Sequence, residues 1–299
     1  MLYKKQLTAL GLIGTIALST PQAVALEVGV SPPKFEIEMN GKGRSQSLKI
    51  MNLSSEPVEM QAYVKNWTLN EQNKLQVTES SDQSLDQWIV FTPARFVIPP
   101  RSSQNLRFAI RPKVKPKDGE HRAVIYLEEV LSNRQKNSQG LTTIGRLGVV
   151  VYAYSGDIKR ASVLNSINVD VKPNATNAIF DISSTGNASV RMKGQYAIWR
   201  AGNYPGAKAT QVISNIGKAD AKLPANILEA GELQTTPVLP GTKRQLVMPI
   251  TKKLPPGNYV LDINGDLNNV GIDKGIPFTI PANVSVPQQP AKPVLAPKK

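Results

Sequence analysis

The feature that most constrains this chain is an apolar alternation with a period of two, repeated along most of its length. Phe35, Ile37 and Met39 alternate with Lys34, Glu36 and Glu38. Leu48 and Ile50 alternate with Ser47, Lys49 and Met51, and Leu106, Phe108 and Ile110 alternate with Arg107 and Ala109. Val58, Met60, Ala62 and Val64 repeat the pattern, as does the stretch 123–128. Side chains of an extended strand point alternately to opposite faces, so each run puts one face on a core and the other in water. No segment sustains the three-and-four spacing of a helix between capping residues.

Turn signals interrupt these runs. They include Asn40-Gly41, Glu56-Pro57, Pro99-Pro100, Asp118-Gly119, Pro255-Pro256-Gly257 and Asn264-Gly265. Short strands between such turns build sandwiches or barrels. The 299 residues are enough for two domains. A boundary is expected near Ser155-Gly156-Asp157, where the strand from Leu141 to Tyr154 ends and a new pattern begins at Val163. Strand candidates beyond it include Ala178 to Ser183, Val190 to Trp199, Thr210 to Ser214, Arg244 to Ile250, Gly257 to Gly265 and Gly275 to Ile280. Roughly seven strands fall in each half, the count of an immunoglobulin-like sandwich. The expected fold is therefore all-β: two immunoglobulin-like β-sandwich domains in tandem, over 26–157 and 158–282.

The ends read differently. Lys4 and Lys5 precede an apolar run from Leu7 to Leu18, and Ala23-Val24-Ala25 offers small residues for cleavage. This is the pattern of a secretory signal peptide over 1–25, and the run is too short for an ordinary membrane span. Export, to the periplasm or beyond, follows as an expectation, with no transmembrane segment in the mature chain. The absence of cysteine excludes thiol catalysis and disulfides. Residues 283–299 are rich in Pro, Gln, Ala and Lys and read as a disordered or polyproline-like tail.

The formal charge of +14 permits contact with a wall polymer or an anionic surface. The charge is scattered and lacks interleaved aromatics, so nucleic acid is not an expected partner.

Reactive groups are scarce. His121 is the one histidine, beside the Asp118-Gly119 turn, and reads as an exposed edge residue. The serines have no nucleophile-elbow context. Asp262, Asp266 and Asp273 lack the spacing of a calcium loop. Gly41-Lys42-Gly43 opens no helix that could hold a phosphate. Trp67 and Trp88 are expected inside the first sandwich, and Trp199 in the core or rim of the second. No enzyme, catalytic residue, cofactor or metal site is expected.

Several segments carry a resemblance. They are Val30-Ser31-Pro32-Pro33-Lys34-Phe35, the strand from Gln46 to Asn52, Trp88-Ile89-Val90-Phe91-Thr92-Pro93 followed by Ile98-Pro99-Pro100, Asn105-Leu106-Arg107-Phe108, and the strand from Arg122 to Val130. In this order the stretch from Leu26 to Arg160 resembles the first domain of PapD-like periplasmic pilus chaperones. The second half matches only generally. The resemblance implies that the protein binds pilus or surface-protein subunits by donating an edge β-strand, through backbone hydrogen bonds and alternate apolar side chains. The strand that would do so is Leu141 to Tyr154, after a polar loop from Ser132 to Gly140, with Leu147, Val149 and Val151 as pocket-filling donors. Equally, these three could complete the sandwich's own core.

The family also holds the terminal carboxylate of its subunit with an Arg on the first strand and a Lys on the last. Lys34 takes the first position. Val151 replaces the last-strand Lys, with Arg146 as a substitute anchor in the cleft. A second reading stays open, in which the two sandwiches form a structural adhesion or cell-wall-binding protein.

Overall fold

The computed structural model describes residues 27–130, 144–218 and 222–282. The expected leader, the polar loop with Leu141, and the Pro-rich tail lie outside the described residues. Within them, regular structure is β-strand apart from four short 3-10 turns.

The first sandwich contains β1 (Val28–Ser31), β2 (Lys34–Glu38), β3 (Ser45–Asn52), β4 (Val58–Lys65), β5 (Trp67–Leu69), β6 (Leu75–Val77), β7 (Ile89–Thr92), β8 (Arg95–Ile98), β9 (Ser103–Ile110), β10 (Gly119–Glu129) and β11 (Arg146–Ser155). One sheet runs β1-β3-β9-β7 and the other β2-β11-β10-β4-β8. The β5-β6 pair forms a separate ribbon. The alternating residues read from the sequence meet between the sheets. Phe35, Ile37, Leu48, Ile50, Leu106, Phe108 and Ile110 are buried there with Trp88, Ile125 and Leu127. Each such side chain contributes about 1.5–3 kcal/mol when fully buried.

Pro32 and Pro33 stand between β1 and β2. Lacking N–H groups, they end the ladder with β3 and let the chain cross to the opposite sheet. The result is a first segment that borders both sheets: β1 pairs antiparallel with β3, and β2 pairs parallel with β11.

The second sandwich contains β12 (Ser162–Lys172), β13 (Ala175–Ser184), β14 (Met192–Arg200), β15 (Ile227–Glu232), β16 (Lys243–Ile250), β17 (Gly257–Leu267) and β18 (Val270–Ile280). Its sheets run β12-β13-β16 and β15-β14-β17-β18. Phe180, Ile182, Ile198, Leu246, Tyr259 and Leu261 lie in its core.

Four expectations need correction. Asn264-Gly265 is not a turn; it lies inside β17, and the hairpin turns at Asn268 and Asn269, both with positive φ. Gly265 serves a close strand crossing instead, since a Cβ there would collide with the Lys193 carbonyl. Thr210 to Ser214 forms no strand. That stretch crosses beside β14, where the Gln195 side-chain amide donates to the Ile213 carbonyl and accepts from the Ile213 amide, each at 2.8 Å.

His121 is buried, not exposed. It stacks against Trp88 with ring centroids 4.7 Å apart, and its two ring nitrogens contact the carbonyls of Gln83 and Lys117. Trp67 also departs from its expected place. It lies outside the first core, in a separate cluster with Tyr152, Tyr154, Ala188 and Leu239 that spans both sandwiches.

Candidate partner-binding site

The site begins with the way β11 is paired. On one side β11 meets β10 along its length, from Arg146 opposite Glu128 to Ser155 opposite Gly119. On the other side β2 covers only Val150 to Tyr154. Among the described residues, no strand pairs with Arg146–Val149 on that side. The Glu129 amide donates to the Gly145 carbonyl, so the odd-numbered residues of this segment face β10. Consistently, the Tyr154 carbonyl accepts from Met39 on the β2 side. By the alternation of an antiparallel ladder, the backbone groups of Arg146 and Gly148 point away from β10. They form a short open edge, the kind of backbone that accepts an added strand.

The side chains of β11 divide between two faces. Val149 and Val151 are fully buried, and Leu147 packs beside them, all among the first sandwich's own core. The sequence placed these three on one face, and they do share one. That face looks inward because its partners are Phe35, Ile37, Ile125 and Leu127. Ile144, half exposed just before β11, is the apolar side chain at this end that is open to solvent.

Arg146 and Gly148 lie on the outer face and form part of a brace. A Cβ on Gly148 would stand 3.3 Å from Cε1 of Tyr126 and 3.1 Å from Val124. The glycine thus lets the Tyr126 ring lie across β11. Tyr63 sits 5.4 Å from Tyr126 between centroids, and the Arg146 guanidinium lies 4.9 Å from the Tyr126 centroid. Tyr63 donates to Glu128 at 2.8 Å, and Gln61 donates to the other Glu128 oxygen. Arg146 is therefore bound up at the end of β11 remote from β12, and is not gathered with Lys34. The two flank positions four residues apart along β11, since Lys34 pairs with Val150, a separation of about 13 Å.

Other cations gather near Lys34. Lys34 Nζ donates to Glu36 at 2.9 Å. Arg191, just before β14 in the second sandwich, is 3.8 Å from the same Glu36 oxygen and lies 4.7 Å from the Tyr152 centroid. Arg160 stacks on Tyr154 at 4.7 Å. Burial would raise the Glu36 carboxyl, but the bonded Lys34 ammonium and the fields of Arg191 and Arg160 outweigh it and hold the pKa below the usual range. Burial pushes the Tyr152 and Tyr154 hydroxyls up. Sequence reasoning missed Arg191 and Arg160, because both belong to connections whose position depends on how the sandwiches dock.

That docking is extensive. Glu120 of β10, whose side chain is wholly inaccessible, accepts from Arg122 and from the backbone and hydroxyl of Ser189. Arg122 lies 5.6 Å from the Trp67 centroid. Arg244 of β16 donates to the carbonyls of Leu69 and Asn70, tying the second sandwich to the β5-β6 ribbon. These contacts link the second sandwich to β10 and to the β5-β6 ribbon of the first.

No metal-ligating cluster of His, Cys, Asp and Glu occurs among the described residues. Asp262 is buried, hydrogen-bonded by Tyr204 at 2.8 Å. No helix among them is long and apolar enough to cross a membrane.

Among the described residues, then, the start of β11 has a strand on one side only, and Lys34, Arg160 and Arg191 gather around Glu36, Tyr152 and Tyr154 near its other end. Residues 29–149 match the family model "Pili and flagellar-assembly chaperone, PapD N-terminal domain". The first domain of this chain belongs to that PapD-like family, as a divergent member.

Solved structures with a similar arrangement include the chaperone–tip adhesin complex of CFA/I fimbriae (14% identity, 85% of this chain and 99% of that chain, TM-score 0.43). Another is the CsuC–CsuE chaperone–tip pre-assembly complex of Acinetobacter baumannii (14%, 85% and 98%, TM-score 0.41). A third is the SafA pilin with the SafB chaperone of Salmonella enterica (12%, 86% and 98%, TM-score 0.41). Among curated proteins, none matches the chain in sequence.

Proposed function

We infer that this protein is a periplasmic chaperone that holds pilus or surface-protein subunits on the open edge of β11 and delivers them for assembly. The observation that carries this reading is the partial cover of β11: β2 stops at Val150, and the outward backbone of Arg146 and Gly148 has no strand beside it among the described residues. A strand added there by a pilus protein would gain main-chain hydrogen bonds. Specificity would come from Ile144, from the Tyr63–Tyr126–Arg146 brace and from the cleft. Val149 and Val151 support the edge from within.

In this reading the terminal carboxylate of the bound protein would meet Lys34, Arg191 and Arg160. Glu36 already shares those cations, so an incoming carboxylate competes with it. Arg146 instead borders the added strand.

The test is Arg146→Pro. Its N–H points away from β10, so the ladder with β10 keeps its bonds while the edge loses a donor and gains a steric block. The expected result is loss of the co-purifying pilus protein with the circular dichroism spectrum retained. A folded variant that keeps this partner at the wild-type level overturns strand addition at this edge.

A further inference from the structure

We propose that the outer face of the β1-β3-β9-β7 sheet docks on a bilayer surface rich in anionic phospholipid. This goes beyond the binding of pilus proteins, since the face belongs to the sheet opposite the one that contains β11.

The observation is one of charge. The sequences of the four strands are VGVS, SQSLKIMN, IVFT and SQNLRFAI, and they contain no Asp or Glu. Each of the other three main sheets carries carboxylates, among them Glu36 and Glu120, Asp170 and Asp181, and Glu229 and Asp262. With Leu48, Ile50, Leu106 and Phe108 turned into the core, the outward set includes Ser47, Lys49, Asn105 and Arg107. Ser47 pairs with Arg107 and Lys49 with Asn105, so the two cations are diagonal neighbours on one flat surface.

The rim adds more. Arg44 and Arg111 flank an open concavity of about 510 Å³ beside Ser45 and Ala109. Lys113 follows at a spacing of two. Arg44, Lys49, Arg107, Arg111 and Lys113 are exposed, and none makes an ion pair among the described residues. The acids of the adjoining connections are Glu27 and Glu56 towards one end and Glu79, Asp82, Asp86 and Asp118 towards the other, with Asp86 engaged by Ser80 and Gln87.

The shape selects the occupant. A rigid sheet face bearing small side chains between long cationic ones can present several charges to a plane at once. The concavity between two arginines suits a phosphate, which Arg binds in a forked geometry. The face has no large aromatic to insert, so the contact is electrostatic, near 1 kcal/mol or fivefold per cation, and is screened by salt.

The full chain is sedimented with phosphatidylcholine vesicles that contain or lack phosphatidylglycerol, at low salt and at 0.5 M salt. Binding to the anionic vesicles alone, lost at high salt, is expected. The combined variant Arg44→Gln, Lys49→Gln, Arg107→Gln and Arg111→Gln should weaken it at least 20-fold. The charge-matched variant Lys193→Gln, Lys208→Gln, Lys218→Gln and Lys274→Gln in the second sandwich should weaken it far less.

Should the first variant fail to fold, acylation of Lys49 in the wild-type protein supplies the answer: vesicles must protect it relative to Lys193. Absence of vesicle binding overturns the proposal. So do equal losses in the two variants, an unprotected Lys49, or stronger binding to an acidic polypeptide than to the vesicles.

Discussion

Glu120 and Ser189 join the two sandwiches through one carboxylate oxygen, which accepts both the backbone amide of Ser189, at 2.9 Å, and its hydroxyl. The Glu120 side chain has no solvent access, so these donors and Arg122 replace its hydration. Leaving a buried donor unpaired costs about 1–3 kcal/mol. Glu120→Ala should therefore lower the unfolding free energy by an amount within that range, read as a fall in the urea midpoint, and widen the interdomain angle distribution in small-angle scattering. An unchanged midpoint and scattering curve would show that the junction is held by the Trp67–Tyr152 cluster alone.

Asn52 closes β3 by stitching two loops. Its side-chain amide donates to the carbonyls of Glu56, Ile98 and Pro99, and its oxygen accepts from the amide and hydroxyl of Ser54. Asn52→Ala should destabilise the first sandwich by about 2–4 kcal/mol, since several buried groups lose partners together. Asn52→Asp should recover little, because a carboxylate cannot donate to three carbonyls. Chemical denaturation of the two variants measures this.

The split between what the sequence disclosed and what it withheld follows from what a period of two can say. It reports which residues share a face, and so Phe35 with Ile37, or Leu106 with Phe108 and Ile110, were readable as core. For β11 the same rule grouped Leu147, Val149 and Val151 but could not say whether that face met the chain's own core or a partner. The alternation gives no reason for Gly148; the Tyr126 ring lying over it supplies one. Arg191 and Trp67 were beyond local reasoning, since Arg191 packs on the other sandwich and Trp67 lies in a cluster to which both sandwiches contribute. Asn52 was readable only as the end of the strand from Gln46; its partners Ile98 and Pro99, nearly fifty residues away, were not.

In the proposed function, Glu36 stands where a partner's carboxylate would bind. Glu36→Gln should remove the competition and strengthen the preference for a pilin-derived terminal peptide with a free acid over the same peptide as its amide. The expected gain is about fivefold, the worth of one partly exposed charge pair (~1 kcal/mol). Because the pKa of Glu36 is held down in the folded protein, its contribution is present above the ordinary carboxylate value and fades as pH falls through the depressed one. Acidification should therefore bring the stabilities of wild type and variant together. An acid-to-amide preference identical in both proteins would place the carboxylate elsewhere.

Asp262 behaves in the opposite sense. Burial raises its pKa despite the hydrogen bond from Tyr204 that favours the anion, and Asp273 adds to the rise. Relative to the unfolded chain, the folded protein favours the protonated form, so this group's contribution is full below the unfolded pKa and declines as pH rises through the folded one. Asp262→Asn should raise the melting temperature at pH 7, with the difference shrinking as pH falls through the raised folded value and gone below about pH 4. A variant less stable than wild type at pH 7 would mean that the Tyr204 bond to the anion outweighs its desolvation.

The opening segment of the fold serves as a clasp. β1 closes one sheet and β2, three residues later, closes the margin of the other. Loss of the single stretch from Val28 to Glu38 would unfasten two borders at once and bare the length of β11 that β2 now shields.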